Sequence, residues 1–289
     1  MRTGLPVWLT PAVVAGGFLL FLWIETRRPL RVERESKLRR IGRNLATAGF
    51  GFATAELLQL PILVPISRWT MARGIGLLNH LEMSRWMRVA ISFVLLDYTL
   101  WFWHWINHRV PFFWRFHSVH HVDRDLDAST ALRFHFGELG LSVGYRALQI
   151  VVIGADPLSV AIWQMLLFVS ILFHHSNTRL PLALERVLVR IVVTPRMHGI
   201  HHSDYENETN TNWSSLLSVW DYLHGTILLD VPQQSISIGV PAFDDPRKVT
   251  LGKILAMPFR RRRPKEDWRR PDGSRAVRPH ADDLARLEP

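Results

Sequence analysis

The chain has 289 residues, of which 48% are hydrophobic, and its formal net charge is +10. It contains no cysteine, which excludes both a disulfide framework and a cysteine-ligated iron–sulfur cluster. The basic residues occur in blocks with no nucleic-acid-binding motif beside them, which argues against a nucleic-acid partner and is typical of a membrane protein.

Apolar stretches predict an all-α integral membrane bundle. Residues 6–24 carry no charge and are numerous enough to cross a hydrocarbon core of about 30 Å; a secretory signal is the alternative for this stretch. Residues 45–67 carry only Glu56 and form the second expected span. Residues 89–103 form a third, shorter run that holds Asp97.

The fourth stretch, residues 147–173, is interrupted by Ala155-Asp156-Pro157. Because proline removes a donor and disfavours helix in the residue before it, we expect a hairpin of two short helices here. The expected fold is therefore an all-α membrane bundle of about four spans, the last a broken hairpin, with a cytoplasmic helical cap.

Charge asymmetry sets the expected orientation. Eight lysine and arginine residues lie between positions 27 and 43, and the positive-inside rule assigns such a segment to the cytoplasm. Counting spans forward brings every histidine motif to the cytoplasmic side of the inner membrane. Residues 68–88 would then lie outside, although they carry four arginines; in the alternative they lie flat on the inner surface. The basic segment 260–270 is expected to contact anionic lipid.

Histidines recur in closely spaced motifs: HxxxH at 104–108, HxxHH at 117–121, HH at 174–175 and HxxHH at 198–202. At helical pitch, residues three and four apart lie on one face, so each motif directs several imidazoles the same way. Imidazole binds iron and zinc well. One ion uses about four to six ligands, so this many nitrogen ligands predict two neighbouring ions.

Nine ligands are predicted from these motifs. Neighbouring side chains point about 100° apart on a helix, so both histidines of a doublet reach a metal only where two ions lie side by side. The predicted ligands are His104, His108, His117, His120, His121, His175, His198, His201 and His202. His174 is the less favoured half of its doublet. Of these two metals only iron changes its oxidation state, so any redox chemistry at the site would require iron.

The ordered set of motifs resembles the fatty acid hydroxylase superfamily, which includes the sterol desaturases. The resemblance covers roughly residues 90–230 and rests on the histidine motifs together with His175-Ser176-Asn177, Asn212-Trp213 and Trp220-Asp221-Tyr-Leu-His224-Gly225-Thr226. The chain departs from the family at His224, where phenylalanine is common. It also departs at Trp213-Ser214, where Tyr-Gly is common. Both departures bear on substrate preference more than on chemistry.

The resemblance implies an integral membrane, di-iron enzyme that uses O2 to hydroxylate or desaturate a lipid. The chain has no flavin, NAD or haem-attachment signature, so a separate reductase or ferredoxin-like donor would supply the electrons. The family also has a histidine in a stretch similar to Arg133-Phe134-His135-Phe136-Gly137-Glu138, which makes His135 a tenth candidate ligand. The alternative for His135 is a structural histidine held by a carboxylate.

Two carboxylates, Asp97 and Glu138, are predicted to act at the site. A ligating imidazole commonly donates its second N–H to a carboxylate, which fixes the tautomer. Asp97 lies about two helical turns before His104, and a carboxylate within a span usually pairs inside the bundle. The alternative for Asp97 is a structural bond to another span.

Three regions are expected. Residues 1–88 form an N-terminal transmembrane region with a basic cytoplasmic loop, residues 89–230 a catalytic domain of the fatty acid hydroxylase type, and residues 231–289 a basic tail. The chain is rich in proline, arginine and aspartate from Pro264 onward, so we expect its last twenty-odd residues to be disordered.

Two other functions stay open on the sequence alone. One is a non-redox membrane metalloprotein, such as a zinc hydrolase or a metal transporter. A transporter would distribute its ligands within the spans, whereas these histidines cluster just beyond span ends. The other is a lipid-binding protein whose metals are only structural.

Overall fold

The computed structural model describes residues 5–6, 8–260 and 263–276, apart from the side chains of Glu56 and Leu60. The described residues form helices joined by turns, and they contain no strand, only three isolated antiparallel bridges. The α-helices are α1 (Leu9–Arg27), α2 (Lys37–Arg73), α3 (Arg85–Arg109), α4 (Pro111–His121), α5 (Phe136–Ile153), α6 (Pro157–His175), α7 (Leu182–Leu188), α8 (Pro195–His201), α9 (Glu206–Thr209), α10 (Val219–His224) and α11 (Leu251–Ala256). Single 3₁₀ turns lie at Leu77–His80, Thr130–Leu132, Gln233–Ser235, Pro241–Phe243, Pro246–Lys248, Met257–Phe259 and Pro264–Glu266.

Five helical segments within the described residues are long and apolar enough to cross a membrane: α1, the segment 37–80 that contains α2, α3, α5 and α6. The predicted all-α membrane architecture is confirmed, with one more candidate span than the four expected. The extra one arises because α5 begins at Phe136, well before the apolar run at 147–173. The part of α5 that precedes this run contains Glu138 and Arg146, and these charges interrupt the apolar stretch.

Helix α2 extends beyond the expected second span. It has 37 residues, which corresponds to about 55 Å at 1.5 Å per residue, whereas a hydrocarbon core is about 30 Å thick. Its first turns therefore lie outside the core, where Arg40 pairs with Asp127 and Arg43 with Asp123. These ion pairs place the basic start of α2 on the same side of the bundle as the loop that follows α4.

A tight turn joins α5 to α6 at the interruption that the sequence showed. Gly154 ends α5 in the left-handed region, with a φ of 76°, a conformation that glycine adopts without steric cost. Asp156 then caps α6, because its Oδ1 accepts hydrogen bonds from the backbone N–H groups of Leu158 and Ser159. Pro157 occupies the first position of the helix, where no N–H is needed.

Two apolar cores position the histidines. The membrane core packs α2, α3, α5 and α6 around Leu96, Ile150 and Trp163, which are fully shielded. A second core lies under α4 and includes Trp114 and Trp268, whose rings stack 5.7 Å apart. Since Trp268 packs in this way, the expected disorder does not begin at Pro264; residues 277–289 lie outside the described part of the chain.

Candidate metal centre

Nine buried or half-buried histidines converge in two adjacent groups, in each of which the potential ligand atoms lie within 4.8 Å of one another. We call them the first group (His104, His108, His117, His121 and His201) and the second group (His120, His175, His198 and His202). The rings of His121 and His202, one from each group, stack at 4.2 Å. The two groups are therefore neighbours and form one continuous cluster of imidazoles.

Each HxxHH motif supplies both groups, in a crossed pattern. On α4, the outer histidines His117 and His121 belong to the first group and the middle one, His120, belongs to the second. On α8 the outer pair belongs to the second group and the middle histidine, His201, to the first. Because residues i and i+4 share a helix face and residue i+3 is turned away from i+4 by about 100°, two facing helices can exchange ligands in this way.

The helices that carry the histidines begin and end at defined signals. Helix α4 starts with Pro111 at its first position. Helix α8 starts with Pro195 after Thr194, whose hydroxyl accepts a hydrogen bond from the N–H of Met197. The remaining ligands come from the last turns of α3 and α6. The cluster thus lies where the ends of two membrane helices meet the histidines of α4 and α8.

Three histidines of the first group are oriented through Nδ1. His104 Nδ1 lies 2.7 Å from the carbonyl oxygen of Trp213, and His201 Nδ1 lies 2.8 Å from that of Thr211. His117 Nδ1 lies 2.7 Å from Oε1 of Glu138. Since carbonyl and carboxylate oxygens only accept, each Nδ1 carries the proton and each Nε2 keeps a free lone pair.

The second group is oriented differently. Only His175 has an Nδ1 partner, the carbonyl oxygen of Ile171 at 2.8 Å. The Nδ1 atoms of His120, His198 and His202 are buried and have no partner among the described residues. Their Nε2 atoms converge instead, at 2.9 Å between His120 and His175 and at 3.0 Å between His198 and each of His175 and His202.

The donor atoms can hold two metal ions. Burial lowers the pKa of His201 to about 3 and also lowers the pKa of His120 and His202, so these imidazoles are neutral, as metal ligands must be. The Nε2 atoms of His108 and His201 are buried without a partner among the described residues. Buried polar atoms without partners are costly, and a cation bound between them would satisfy these.

A loop between α9 and α10 supplies two of the oriented ligands with their acceptors. Asn212 lies between Thr211 and Trp213 and has a φ of 54°, the one non-glycine residue with positive φ in the described chain. Its side chain donates to the carbonyl oxygens of Met197 and Leu228 at 3.1 and 2.7 Å. The Asn212-Trp213 pair was singled out by the resemblance, but the use of neighbouring backbone carbonyls has no sequence signature.

The predicted carboxylates lie in different places. Glu138 contacts a histidine of the first group, as described above. Asp97 contacts none; its Oδ2 accepts from the N–H of Leu217 at 3.1 Å and from Nε1 of Trp220 at 2.7 Å. Asp221, on the same stretch, accepts hydrogen bonds from the backbone N–H groups of Trp213 and Ser214 at 3.0 and 2.9 Å. These two aspartates fix the segment that carries the acceptor for His104.

Two histidines that the motifs or the resemblance made candidates lie outside both groups. His135 is the residue before α5, where its Nδ1 accepts from the N–H of Gly137 at 2.9 Å and its Nε2 lies 3.0 Å from the carbonyl oxygen of Leu255. The structure therefore does not bring it together with the other nine predicted ligands. His174 is buried and lies ring against ring with His198 at 4.1 Å, but it belongs to neither group.

The bundle and its histidines define a class: an integral membrane protein with a buried cluster of imidazoles that can bind metal. Comparison with known proteins agrees with this class. The family model for fatty acid hydroxylase matches residues 89–226. Residues 89–226 therefore match a fatty acid hydroxylase domain, which confirms the resemblance drawn from the motifs.

Named relatives fall within the same family. The chain is 32% identical over 195 residues to ornithine lipid hydroxylase OlsE of Rhizobium tropici, covering 65% of this chain and 56% of that protein. It is 26% identical over 141 residues to cholesterol 25-hydroxylase of Mus musculus, covering 48% and 46%, and 28% identical over 139 residues to alkylglycerol monooxygenase of Homo sapiens, covering 47% and 29%. The chain thus spans about half the length of the first two. No solved structure matches significantly.

Proposed function

We propose that the protein is a membrane-bound hydroxylase or desaturase of lipids that uses O2 and two iron ions. The observation that carries this proposal is the pair of adjacent imidazole groups at the end of a membrane bundle. The names of the relatives describe hydroxylation or monooxygenation of an ornithine lipid, cholesterol and an alkylglycerol. They support a lipid as the substrate class and do not favour a zinc hydrolase or a transporter.

Iron, when bound, supplies the change of oxidation state that cleavage of O2 and oxidation of an unactivated C–H bond require. In hydroxylation, one oxygen atom enters the C–H bond and the other leaves as water, which takes two electrons and two protons. No electron-carrier signature is present in the sequence, so we propose that a separate reductase or ferredoxin-like protein delivers these electrons.

The chain contributes fixed proton positions and a site shielded from water. The carboxylate of Glu138 holds the proton on Nδ1 of His117, which keeps Nε2 of that ring available to a metal. We propose the same task for the loop carbonyls of Thr211 and Trp213 towards His201 and His104. Asp97 would act one step further away, by fixing the segment at residues 217–220.

We propose that the histidine cluster faces the cytoplasm at the inner membrane. The basic segment at 27–43 contacts the cap that carries the histidines, as the ion pair between Arg43 and Asp123 shows. Under the positive-inside rule this segment stays in the cytoplasm. The proposed regions are unchanged: 1–88 as membrane anchor and basic loop, 89–230 as catalytic domain and 231–289 as basic tail.

Metal content and lipid turnover test the proposal. Detergent-purified protein, loaded anaerobically with ferrous iron, should hold about two irons per chain, and His120→Ala should lose one of them together with turnover. The control is His80→Ala, which changes a histidine remote from both groups. One tightly held zinc that iron does not replace, or full turnover by His120→Ala on an identified lipid, would contradict the assignment.

A further inference from the structure

The segment that follows α1 is bound to the chain on either side of the second histidine group, although it lies outside the family match at residues 89–226. Its backbone runs antiparallel to the residues that follow His175. The N–H of Leu30 donates to the carbonyl oxygen of Asn177 at 2.8 Å, and the N–H of Arg179 donates to that of Arg28, also at 2.8 Å. A short two-stranded contact therefore joins the segment to the end of α6.

The side chain of Asn177 clamps one residue of this segment, Arg31. Its Oδ1 accepts from the N–H of Arg31 at 2.8 Å, and its Nδ2 donates to the carbonyl oxygen of Arg31 at 2.9 Å. The backbone N–H of Asn177 in turn donates to Oε2 of Glu25, at the end of α1. Asn177 lies two residues after His175, so the position of Arg31 is fixed relative to a ligand of the second group.

The guanidinium group of Arg31 then reaches α8. Its Nη2 donates to the carbonyl oxygen of Pro195 at 3.0 Å and to Oε1 of Gln233. It also fills the space beside Gly199, where an added Cβ would lie only 1.6 Å from Nη2. Gly199 follows His198 directly, so Arg31 packs against the backbone that carries a second ligand of the same group.

These contacts matter more for the second group than for the first. In the first group, three ligands have an Nδ1 acceptor of their own, whereas in the second group only His175 does. The rings of His198 and His202 consequently depend on where the backbone of α8 lies. Arg31 connects the backbone of α8 to the chain that follows His175. The Nε2 atoms of His175 and His198, one on each side of this connection, are only 3.0 Å apart.

We propose that Arg31 is a positioning residue for the second metal group: it sets the distance between the end of α6 and α8, and thereby the fit of one of the two ions. This inference rests on the proposed two-metal function. It gives the loop between α1 and α2, which lies outside the family match at residues 89–226, a part in positioning the metal ligands. Gly199 belongs to the same contact, because only a residue without Cβ leaves room for the guanidinium group.

The test compares Arg31→Gln with Arg28→Gln, which removes the same charge from an exposed side chain in the same segment. The metal-free proteins are titrated anaerobically with ferrous iron. Wild type and Arg28→Gln should bind about two irons, and Arg31→Gln about one, with a loss of affinity at the other site of about 10–100-fold. Arg31→Lys, which keeps the charge and can make one of the bonds, should lie between them.

Spectroscopy separates positioning from a general loss of structure. A pair of neighbouring irons and a single iron give different Mössbauer spectra, so Arg31→Gln should show the isolated-ion spectrum while its metal-free form melts like wild type. Gly199→Ala should reproduce this result. The variant with both changes should be no worse than either alone, because the two act on one contact.

Three outcomes would overturn the inference. In the first, Arg31→Gln binds two irons with the affinity of wild type. In the second, it loses both irons and its metal-free form is also unfolded. In the third, the losses of iron affinity caused by Gly199→Ala and Arg31→Gln add up in the double variant. A wild-type protein that binds fewer than two irons overturns the two-metal function itself, and that outcome is visible before any variant is made.

Discussion

The two histidine groups differ in how their rings are held. In the first group, three of five imidazoles bind an oxygen acceptor through Nδ1, and these acceptors lie within the family domain. In the second group, one of four does so, and the other three Nδ1 atoms have no partner among the described residues. The first group is therefore oriented ring by ring, and the second by the placement of its helices.

This difference predicts different sensitivities. A ring held by its own acceptor keeps its direction when neighbouring helices shift slightly, because the hydrogen bond fixes tautomer and rotation together. A ring held only by its backbone moves with the helix. We expect changes near Glu138 and Asn212 to affect the first ion alone, and changes in the contacts of α8 to affect the second.

The largest effect is expected from loss of a ligand, and the crossed pattern makes it specific. His120→Ala and His202→Ala should both lose the ion of the second group and keep that of the first, although the two residues come from different histidine motifs. His121→Ala and His201→Ala should lose the ion of the first group and keep that of the second. Each variant should retain about one iron per chain and lose turnover.

The comparison is made by iron titration and by the Mössbauer spectrum of the ion that remains. The pair His120→Ala and His121→Ala is the decisive one, because the two positions are adjacent in sequence and belong to different groups. Identical spectra for these two variants would refute the division into two groups.

A smaller effect is expected at Glu138. Replacing it with alanine removes the acceptor for Nδ1 of His117, which should weaken iron at the first group by about 10–100-fold and leave the second group unchanged. Glu138→Gln keeps an oxygen that can accept the same hydrogen bond, so its loss should be smaller. Iron affinity measured site by site decides this, and an equal loss at both groups would show that the two are not held independently.

A still smaller effect is expected at the loop residue Asn212. Asn212→Gly keeps the positive φ but removes three side-chain hydrogen bonds, with the carbonyl oxygens of Met197 and Leu228 and the N–H of Leu228. We expect a loss of about 1–3 kcal/mol in the free energy of unfolding for unsatisfied buried groups. Asn212→Ala should cost about 1–2 kcal/mol more, because alanine is strained at that φ.

Chemical denaturation of the metal-free protein measures both Asn212 variants, and iron affinity at the first group should fall in the same order. Thr211 and Trp213 carry the acceptors, so the effect on iron is indirect and should stay below that of Glu138→Ala. A glycine variant less stable than the alanine variant would show that the backbone conformation is not what Asn212 contributes.

The sequence predicted the parts of the site that depend on helical spacing. Histidines four apart define a face, which is why His117 and His121 go together. The number of imidazoles is why two adjacent ions were expected. The division into groups of five and four depends on how the histidines of α8 meet those of α4, and tertiary packing leaves no periodic signal in the chain. The acceptors of His104 and His201 are backbone carbonyls, which every residue has.

The fold was predictable to a similar depth. Apolar length identified the membrane helices and Asp156-Pro157 located the turn between α5 and α6. Hydropathy missed residues 136–146 of α5, because Glu138 and Arg146 interrupt the apolar stretch. Arg31 carried no sequence signal beyond its charge, since its task depends on Asn177 and Gly199, which are distant in sequence.

The smallest effect on iron is expected at His135, which the resemblance made a candidate ligand. Both of its ring nitrogens have partners away from the two groups, the N–H of Gly137 and the carbonyl oxygen of Leu255. His135→Ala removes the N-terminal cap of α5 and should cost about 1 kcal/mol in the free energy of unfolding, with about two irons retained. His135→Ser restores a capping oxygen and should recover most of that stability. Loss of one iron in both variants would instead make His135 a ligand, and it would require the start of α5 to move towards the cluster when metal binds.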